Sequence, residues 1–278
     1  KYYLCDLNVR TYRLFKPMNH RIFYLMLSLS GAVILLFIIA PLAGIFIKSD
    51  GRELLAAAQD SEVTGSIWLT IGTSMAATVI FAVLSLPFAW FLARRKFRLK
   101  KLVLGIIDLP VVIPHTAAGI ALLGVISRDS LVGRLAEEAG INFVGHPSGI
   151  ILAMAFVSLP FFLNAAREGF TGVPDRLEKA ALNLGASPLR VFLTISIPLA
   201  MRQIISGSVM MFARGMSEFG AVIIIAYHPM TAPVLIFERF SSFGLQYARP
   251  VSVIFIIISV VLFLLMRLLA RDPENARN

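Results

Sequence analysis

Long apolar runs recur along the chain and are separated by short polar intervals. A run of about 18 or more mostly apolar residues can cross the hydrocarbon core of a bilayer as a helix. Six such runs predict an all-α integral membrane protein with six transmembrane helices, at about 22–47, 66–92, 102–126, 149–166, 200–226 and 250–269. We expect one transmembrane domain over 21–270, with short polar tails at 1–20 and 271–278.

The composition supports this prediction. The chain of 278 residues is 58% hydrophobic and only 15% charged, whereas soluble domains are about 45–50% apolar and about 25% charged. The first apolar run is longer than the roughly 7–15 residues of a signal-peptide core, so we expect it to be a span and not a cleaved leader. A single cysteine, Cys5, excludes an internal disulfide and a cysteine-based metal site.

Lysine and arginine are distributed unevenly over the connections between the spans. Of the 26 basic residues, 19 fall on one side of the membrane, 6 fall on the other, and Arg214 lies inside the fifth span. Because basic loops favour the cytoplasm, both termini and the interval 167–199 are predicted to be cytoplasmic. The net charge is +10, but the basic residues lie between the spans and not on one soluble face, so we expect no nucleic-acid partner.

The interval 167–199, called the elbow below, carries the signals of a helix followed by a sharp bend. Asp175 can cap the helix, and Glu178 three residues later can complete a capping box. Gly185 can end the helix because glycine accepts a positive φ. The sequence therefore predicts a short helix from about Asp175 to the bend at Gly185.

A second elbow helix is predicted after the bend. Ser187 can cap it with Pro188 at its first position, and it should end near Pro198, where the fifth span begins. The first elbow helix carries an apolar stripe formed by Leu177, Ala180, Ala181 and Leu184. So short a helix is only marginally stable alone, and it needs a partner in its own bundle or in a groove of another protein. The residues leave both alternatives open.

The elbow resembles the EAA loop of ABC-importer permeases, in which E-A-A is followed at fixed spacings by Gly and by Ile-x-Leu-Pro. The matching residues are Ala180, Ala181, Gly185, Ile195 and Pro198. Two departures occur: Lys179 takes the glutamate position, with Glu178 one residue earlier, and Ile197 replaces leucine. The resemblance implies that residues 175–198 dock into a cytoplasmic ATPase and transmit its closure to the membrane helices.

The same resemblance implies the rest of the complex. It implies the fold of an ABC type I importer permease, a homodimer in the cell membrane of a prokaryote, two ABC ATPase subunits inside and an oxyanion-binding protein outside. The chain has no Gly-Lys pair and hence no phosphate-binding loop of the G-x-x-x-x-G-K-[ST] type. ATP and Mg would therefore be bound by the partner ATPase. We predict no catalytic residue, cofactor or metal site in the chain itself.

The fifth span has one small and polar face on a helical wheel. Its members are Gln203, Ser206, Met210, Arg214, Ser217 and Glu218, and a weaker stripe in the second span contains Ser66, Thr70 and Thr73. A charge such as Arg214 inside a span costs about 2.5–3.5 kcal/mol or more unless it is paired or hydrated, and Glu218 one turn away can pair with it. The stripe is either a translocation path or a packing face with an internal ion pair.

Prolines interrupt the second, third and fourth spans and predict kinks there. In the third span His115 follows Pro114, and it can either lie on the pathway or be a core histidine with satisfied hydrogen bonds. For Asp108 in the same span we favour a structural role.

Residues 213–221 resemble the A-R-x-x-[GS]-E-F-G-A segment of molybdate, tungstate and sulfate permeases. Residues 109–119 and 228–240 are similar to the archaeal tungstate/molybdate branch, and the resemblance covers about 66–269. It implies a permease for molybdate or tungstate. The alternatives are a permease for sulfate or another oxyanion, a self-contained secondary transporter or channel, and a membrane scaffold.

Overall fold

The computed structural model describes residues 20–269. These residues form α-helices and one π-helical turn, and no strand occurs among them. The predicted tails at 1–20 and 271–278 lie outside the described residues, apart from His20. Numbered in chain order, the helices up to the elbow are α1 (His20–Ile47), α2 (Gly51–Gln59), α3 (Ser61–Arg94), α4 (Lys100–Val112), α5 (His115–Ile126), α6 (Leu131–Glu138) and α7 (Pro147–Gly172).

The elbow and the remaining spans follow. They comprise α8 (Asp175–Asn183), α9 (Pro188–Val191), the π turn (Phe192–Ser196), α10 (Ile197–Met216), α11 (Gly220–Ile225), α12 (Ala232–Phe243) and α13 (Leu245–Leu269). The chain divides into two units, of which the first ends at Asp50 and contains α1, an apolar helix of 28 residues. The second unit begins at Gly51 and holds the residues discussed below.

Five stretches of helix within residues 20–269 are long and apolar enough to cross a membrane. They are His20–Ile47, Ser61–Arg94, Pro147–Gly172, Pro188–Met216 and Leu245–Leu268. These match the first, second, fourth, fifth and sixth predicted spans. The second span begins earlier than predicted because Asp60 caps it, its carboxylate accepting a hydrogen bond from the N–H of Glu62 (2.8 Å).

The third predicted span, 102–126, is not one continuous helix. Helices α4 and α5 meet at an angle of 112°, and six spans result only if this bent pair counts as one. The break lies at Ile113, whose backbone is extended (φ −75°, ψ 147°). Pro114 causes it, because proline disfavours the helical conformation in the residue before it.

The prediction that the second elbow helix ends near Pro198 is wrong. Helices α9 and α10 continue into each other through the π turn, in which the N–H of Ile197 donates to the carbonyl of Phe192 five residues earlier. In a regular helix the proline ring clashes with the carbonyl four residues back. The wider turn before Pro198 relieves this clash, so the fifth span starts at Pro188.

The fifth span is also shorter at its other end than the predicted 200–226. Helix α10 ends at Met216 and α11 begins three residues after Ser217. Glu218 lies in this gap, and its Oε1 accepts a hydrogen bond from the N–H of Ala221 (2.9 Å). The carboxylate therefore satisfies one backbone N–H in the first turn of α11, whose N-cap position is held by Phe219. The helical wheel that placed Ser217 and Glu218 on one continuous helix is wrong beyond Met216.

Helix α7 lies at the centre of the second unit and packs against α3 and α10. Its fully buried side chains include Ile150, Met154, Phe162 and Phe170. Helix α10 approaches α7 closely because Gly207 has no side chain: a Cβ there would lie 2.8 Å from the Cβ of Ala165. Small residues at helix contacts are the usual means of close packing inside a membrane.

We expect Gly207→Val to destabilise the chain by about 1–3 kcal/mol, because the added atoms must force α10 away from α7. Thermal unfolding of the purified protein in detergent measures the effect. Gly72→Val is the matched control, since a Cβ at Gly72 meets nothing within 4 Å in the described chain. Equal melting temperatures for the two variants would contradict the close packing at Gly207.

Candidate functional site

The bend of the elbow has the predicted geometry. Gly185 has a φ of +86°, which favours glycine over every other residue. Its N–H donates to the carbonyl of Leu182 and that of Ala186 donates to Ala181, both at 3.0 Å. This pair of bonds is the Schellman ending of a helix. The prediction of a helix end at Gly185 is confirmed.

The start of the second elbow helix is confirmed as well. The Ser187 hydroxyl accepts a hydrogen bond from the N–H of Arg190 (3.3 Å), and Pro188 occupies the first helical position. Ile195 lies in the π turn and Pro198 follows it. The elbow is thus a short helix, a glycine bend and a second helix that continues into the fifth span.

The predicted capping box at the start of α8 is wrong. Pro174 and not Asp175 holds the N-cap position, and no side chain caps the helix. Both carboxylates turn instead to Arg94 at the end of α3: Asp175 Oδ1 lies 3.0 Å from Nη1, and Glu178 Oε1 lies 2.8 Å from Nη2. A guanidinium offers charge-assisted hydrogen bonds, which are stronger than those from a neutral backbone N–H.

Glu178 Oε1 has two further partners. It accepts a hydrogen bond from the Ser196 hydroxyl in the π turn (2.6 Å) and one from the indole N–H of Trp90 on α3 (3.4 Å). Burial by itself would raise the pKa of Glu178, but the hydrogen bonds from Arg94 and Ser196 outweigh burial and lower the pKa below its ordinary value. Glu178 is therefore a charged group at neutral pH, although only 10% of its side chain is exposed.

The apolar surface of the elbow is not covered within the described chain. Leu184 is 89% exposed, and the other exposed leucines are Leu177, Leu182, Leu189 and Leu193. Ala180 and Lys179 are exposed, while Ala181 is half-buried. The sequence left open whether the stripe packs on its own bundle. In the described residues its leucines remain exposed, which favours another protein as the partner.

A second polar cluster lies where α10 ends and the bent pair α4–α5 breaks. Arg214 Nη2 lies 2.9 Å from Glu218 Oε2, which confirms the predicted ion pair. His115 Nδ1 lies 3.0 Å from the same carboxylate oxygen, and Arg214 Nη2 is 2.8 Å from that ring nitrogen. Glu218 is fully buried, whereas the side chains of Arg214 and His115 are partly exposed. We call Arg214, His115, Ser217 and Glu218 the Arg214 cluster.

The other members of the predicted stripes separate into two groups. Gln203, Ser206 and Met210 are exposed along α10, and Ser217 is exposed beside Arg214. The second-span residues Ser66, Thr70 and Thr73 are instead buried between helices of this chain. The Thr70 hydroxyl accepts a hydrogen bond from the N–H of Ala232 (2.8 Å) and so fixes the start of α12.

Several residues of these clusters were not predicted from the sequence. Arg94 was counted only as one of the basic residues that set the orientation, and Trp90 and Ser196 were not singled out. Their contacts with Glu178 join residues 84, 88 and 18 positions apart. The only sequence signal was an arginine two residues beyond the second predicted span, 66–92.

Another ionic contact lies at the opposite end of α3 from Arg94. Arg239 Nη2 on α12 lies 2.6 Å from Asp60 Oδ2 and 3.1 Å from Glu62 Oε2. The hydrogen bond from Arg239 holds the pKa of Asp60 below its ordinary value. Both ends of the long helix α3 are therefore tied to other helices by arginine.

Comparison with known proteins decides the family. Residues 85–274 match the binding-protein-dependent transport system inner membrane component. The chain belongs to this family. Its members are membrane-spanning subunits of ABC importers, in which a partner ATPase binds the nucleotide, and the permease subunit is not itself an enzyme.

Curated relatives cover nearly the whole chain. The molybdate/tungstate transport system permease protein WtpB of Pyrococcus abyssi is 42% identical over 247 residues, which cover 88% of this chain and 94% of that protein. The sulfate transport system permease protein CysT of Synechocystis sp. is 29% identical over 274 residues, covering 95% and 96%.

A solved structure has the same fold. It is a bacterial ABC transporter involved in the import of the acidic polysaccharide alginate, with a TM-score of 0.70 at 16% identity, covering 90% of this chain and 95% of that one. At this identity the likeness shows the architecture alone, which is that of an ABC type I importer permease.

We expect Asp60→Ala to lower thermal stability more than Asp60→Asn. Asparagine keeps the helix cap and loses the charge, whereas alanine loses both, and an N-cap contributes about 0.5–2 kcal/mol. Because the pKa of Asp60 is lowered on folding, its charge stabilises the fold above its ordinary pKa and this contribution is lost as the pH falls. The difference in melting temperature between wild type and Asp60→Asn should therefore be constant above about pH 4, the ordinary pKa of aspartate, and should shrink as the pH falls below that value toward the lowered pKa of the folded state. A difference that stays constant as the pH falls well below about 4 would contradict the charge contribution.

Proposed function

We propose that this chain is the membrane-spanning subunit of an ATP-driven importer for molybdate or tungstate. The observation that carries the proposal is the 42% identity with a molybdate/tungstate permease over 94% of that protein's length. The sulfate permease described above is less similar, at 29% identity, so sulfate is the second choice of cargo. A self-contained transporter is disfavoured because the family depends on a separate binding protein.

The elbow is the docking surface for the ATPase in this proposal. Its leucines are exposed, its bend is fixed by Gly185, and its second helix continues directly into the fifth span. A push on the elbow therefore acts on a continuous rod of helix from Pro188 to Met216. Two copies of the chain would form a homodimer, each binding one ATPase inside the cell, with the anion-binding protein outside. The orientation follows from the excess of basic residues on the elbow side.

The translocation path in this proposal runs along the exposed polar face of α10, from Gln203 through Ser206 and Met210 to the Arg214 cluster. Ser66, Thr70 and Thr73 are left out because they are buried between helices. In the Arg214 cluster the carboxylate of Glu218 is buried, whereas the side chains of Arg214 and His115 that contact it are partly exposed. An oxyanion arriving there meets Arg214 and His115 first and competes with Glu218 for them.

The cluster also lies at two helix breaks, the 112° bend between α4 and α5 and the gap after α10. Helix breaks allow two helix segments to move relative to each other. Binding of an anion that favours one arrangement would shift the balance between the states, provided that its affinity for the two differs. The Arg214 cluster therefore suits a gate that senses anion.

Reconstitution tests the proposal. The chain is placed in liposomes with its ATPase and binding protein, and ATP hydrolysis and anion uptake are measured with molybdate, tungstate or sulfate. Uptake should require ATP and the loaded binding protein, with molybdate or tungstate preferred over sulfate. Uptake by the chain alone, without ATP, would overturn the proposal in favour of a self-contained transporter.

Gly185→Val should weaken association with the ATPase while the spans remain inserted in the membrane. A β-branched residue at a φ of +86° is strained, so the bend that presents the leucines must change. Co-purification of the ATPase measures the effect. Gly172→Val is the control, because a Cβ at Gly172 has nothing within 4 Å and no positive φ. A normal yield of complex from Gly185→Val would contradict the docking surface.

Two variants separate a pathway role of Arg214 from a packing role. Arg214→Gln should reduce uptake and stability together, because it leaves the buried Glu218 with His115 as its remaining side-chain partner. Breaking a buried ion pair costs about 3–5 kcal/mol. The double variant Arg214→Gln with Glu218→Gln removes both charges and should recover thermal stability but not uptake. Recovery of uptake as well would show that the pair only holds helices together.

A further inference from the structure

Glu178 lies where three elements meet. It belongs to the elbow helix α8, it contacts Arg94 and Trp90 at the end of α3, and it contacts Ser196 in the π turn that leads into α10. All three contacts converge on one oxygen, Oε1, at 2.8, 3.4 and 2.6 Å. One carboxylate thus connects the elbow to two membrane helices.

Helix α8 has few other attachments to the described chain. Of its nine residues, only Glu178 is buried. The neighbouring ion pair from Arg94 to Asp175 is largely in solvent, since the Asp175 side chain is 62% exposed, whereas Glu178 and Arg94 are 10% and 13% exposed. Exposed ion pairs contribute little to stability, and buried pairs hold their geometry because water does not compete. Besides the backbone connection into the fifth span, Glu178 is therefore the main side-chain contact through which a force on α8 reaches α3 and α10.

The π turn is held at both of its ends. Ser196 bonds to Glu178, and Phe192 at the other end packs edge-on against Trp90 at 5.5 Å and against Phe170 of α7 at 6.0 Å between ring centroids. A π turn interrupts the regular hydrogen bonding of a helix and is often found at functional sites. The π turn lies near the start of the continuous helix Pro188–Met216, whose far end carries Arg214. Movement delivered at Ser196 is therefore applied at the base of α10.

We propose that Glu178 is the positioning residue that transmits movement of the elbow to α3 and α10 at the same time. The inference rests on the proposed function, because it assumes that an ATPase moves the elbow. It goes beyond docking, since Glu178 is turned inward to Arg94 and is not offered to the partner. Loss of Glu178 leaves the ATPase bound and active but separates ATP hydrolysis from transport.

The test uses the full complex of permease, ATPase and binding protein in liposomes. Glu178→Gln is nearly isosteric and removes the charge. We expect the ATPase to co-purify with Glu178→Gln as it does with wild type. ATP hydrolysis should no longer respond to the loaded binding protein. Uptake per ATP should fall by about 5-fold or more, which is the change that typical coupling free energies between two sites produce. The control Glu137→Gln makes the same exchange in an exposed ion pair outside the elbow, where Glu137 Oε1 lies 3.6 Å from Arg128 Nε, and it should leave all three quantities unchanged.

A charge swap provides the rescue. In the Asp175→Asn background, Arg94→Glu combined with Glu178→Arg restores an ion pair between α3 and α8, and it should recover part of the uptake per ATP that Glu178→Gln loses. Normal uptake per ATP in Glu178→Gln would overturn the inference. Loss of ATPase binding in Glu178→Gln, with no recovery in the swap, would also overturn it and would assign Glu178 to holding the elbow fold.

A distance measurement does not depend on transport. Spin labels placed on exposed Arg176 of α8 and on exposed Arg202 of α10, which are neither elbow leucines nor members of the polar face of α10, report whether the two segments move together when ATP binds to the complex. We expect an unchanged distance in wild type and a nucleotide-dependent change in Glu178→Gln. If the wild-type complex assembles but imports none of the three anions, the proposed cargo fails and the labels still decide the role of Glu178. Identical distances in wild type and variant would overturn the transmission role.

Discussion

A charge buried in an apolar chain must be paired, and this constraint determines how the described helices are joined. Two carboxylates of the second unit, Glu178 and Glu218, are buried, and each lies within 3 Å of an arginine. An isolated carboxylate in such surroundings would be strongly destabilised. Each pair therefore fixes its elements relative to each other: the end of α3 with the elbow, and the end of α10 with the bend of α4 and α5.

The two pairs lie at opposite ends of the same rod. Helix α10 and its lead-in run from Pro188 to Met216 without interruption, with Ser196 against Glu178 near one end and Arg214 against Glu218 at the other. In the proposed function one end meets the ATPase and the other meets the anion. In that proposal both events act on one helix, so no long chain of side chains is needed to connect them.

The sequence predicted the features that depend on local patterns. Apolar runs predicted five long helices. The ability of glycine to adopt a positive φ predicted the bend at Gly185, and the spacing of Arg214 and Glu218 predicted their ion pair. These follow from period, length and backbone conformation, which are visible within a few residues.

Features that depend on distant partners were not predicted. The capping box at Asp175 is chemically reasonable, but Arg94, more than 80 positions away, attracts both carboxylates. The sharp angle at Pro114 and the gap after Met216 depend on how the broken helices pack, and His115 becomes part of the Arg214 cluster only because these two breaks lie side by side. The exposed leucines of the elbow confirm an amphipathic helix, while the identity of what covers them stays a prediction.

Those leucines have a consequence for biogenesis. A newly inserted subunit exposes Leu184 and the other elbow leucines to water as an apolar patch. Exposed apolar patches promote aggregation. Burial of this patch soon after synthesis would protect the new permease from aggregation and from degradation. In the proposed function the ATPase covers this surface, so balanced synthesis of permease and ATPase would keep the permease soluble before any cargo is moved.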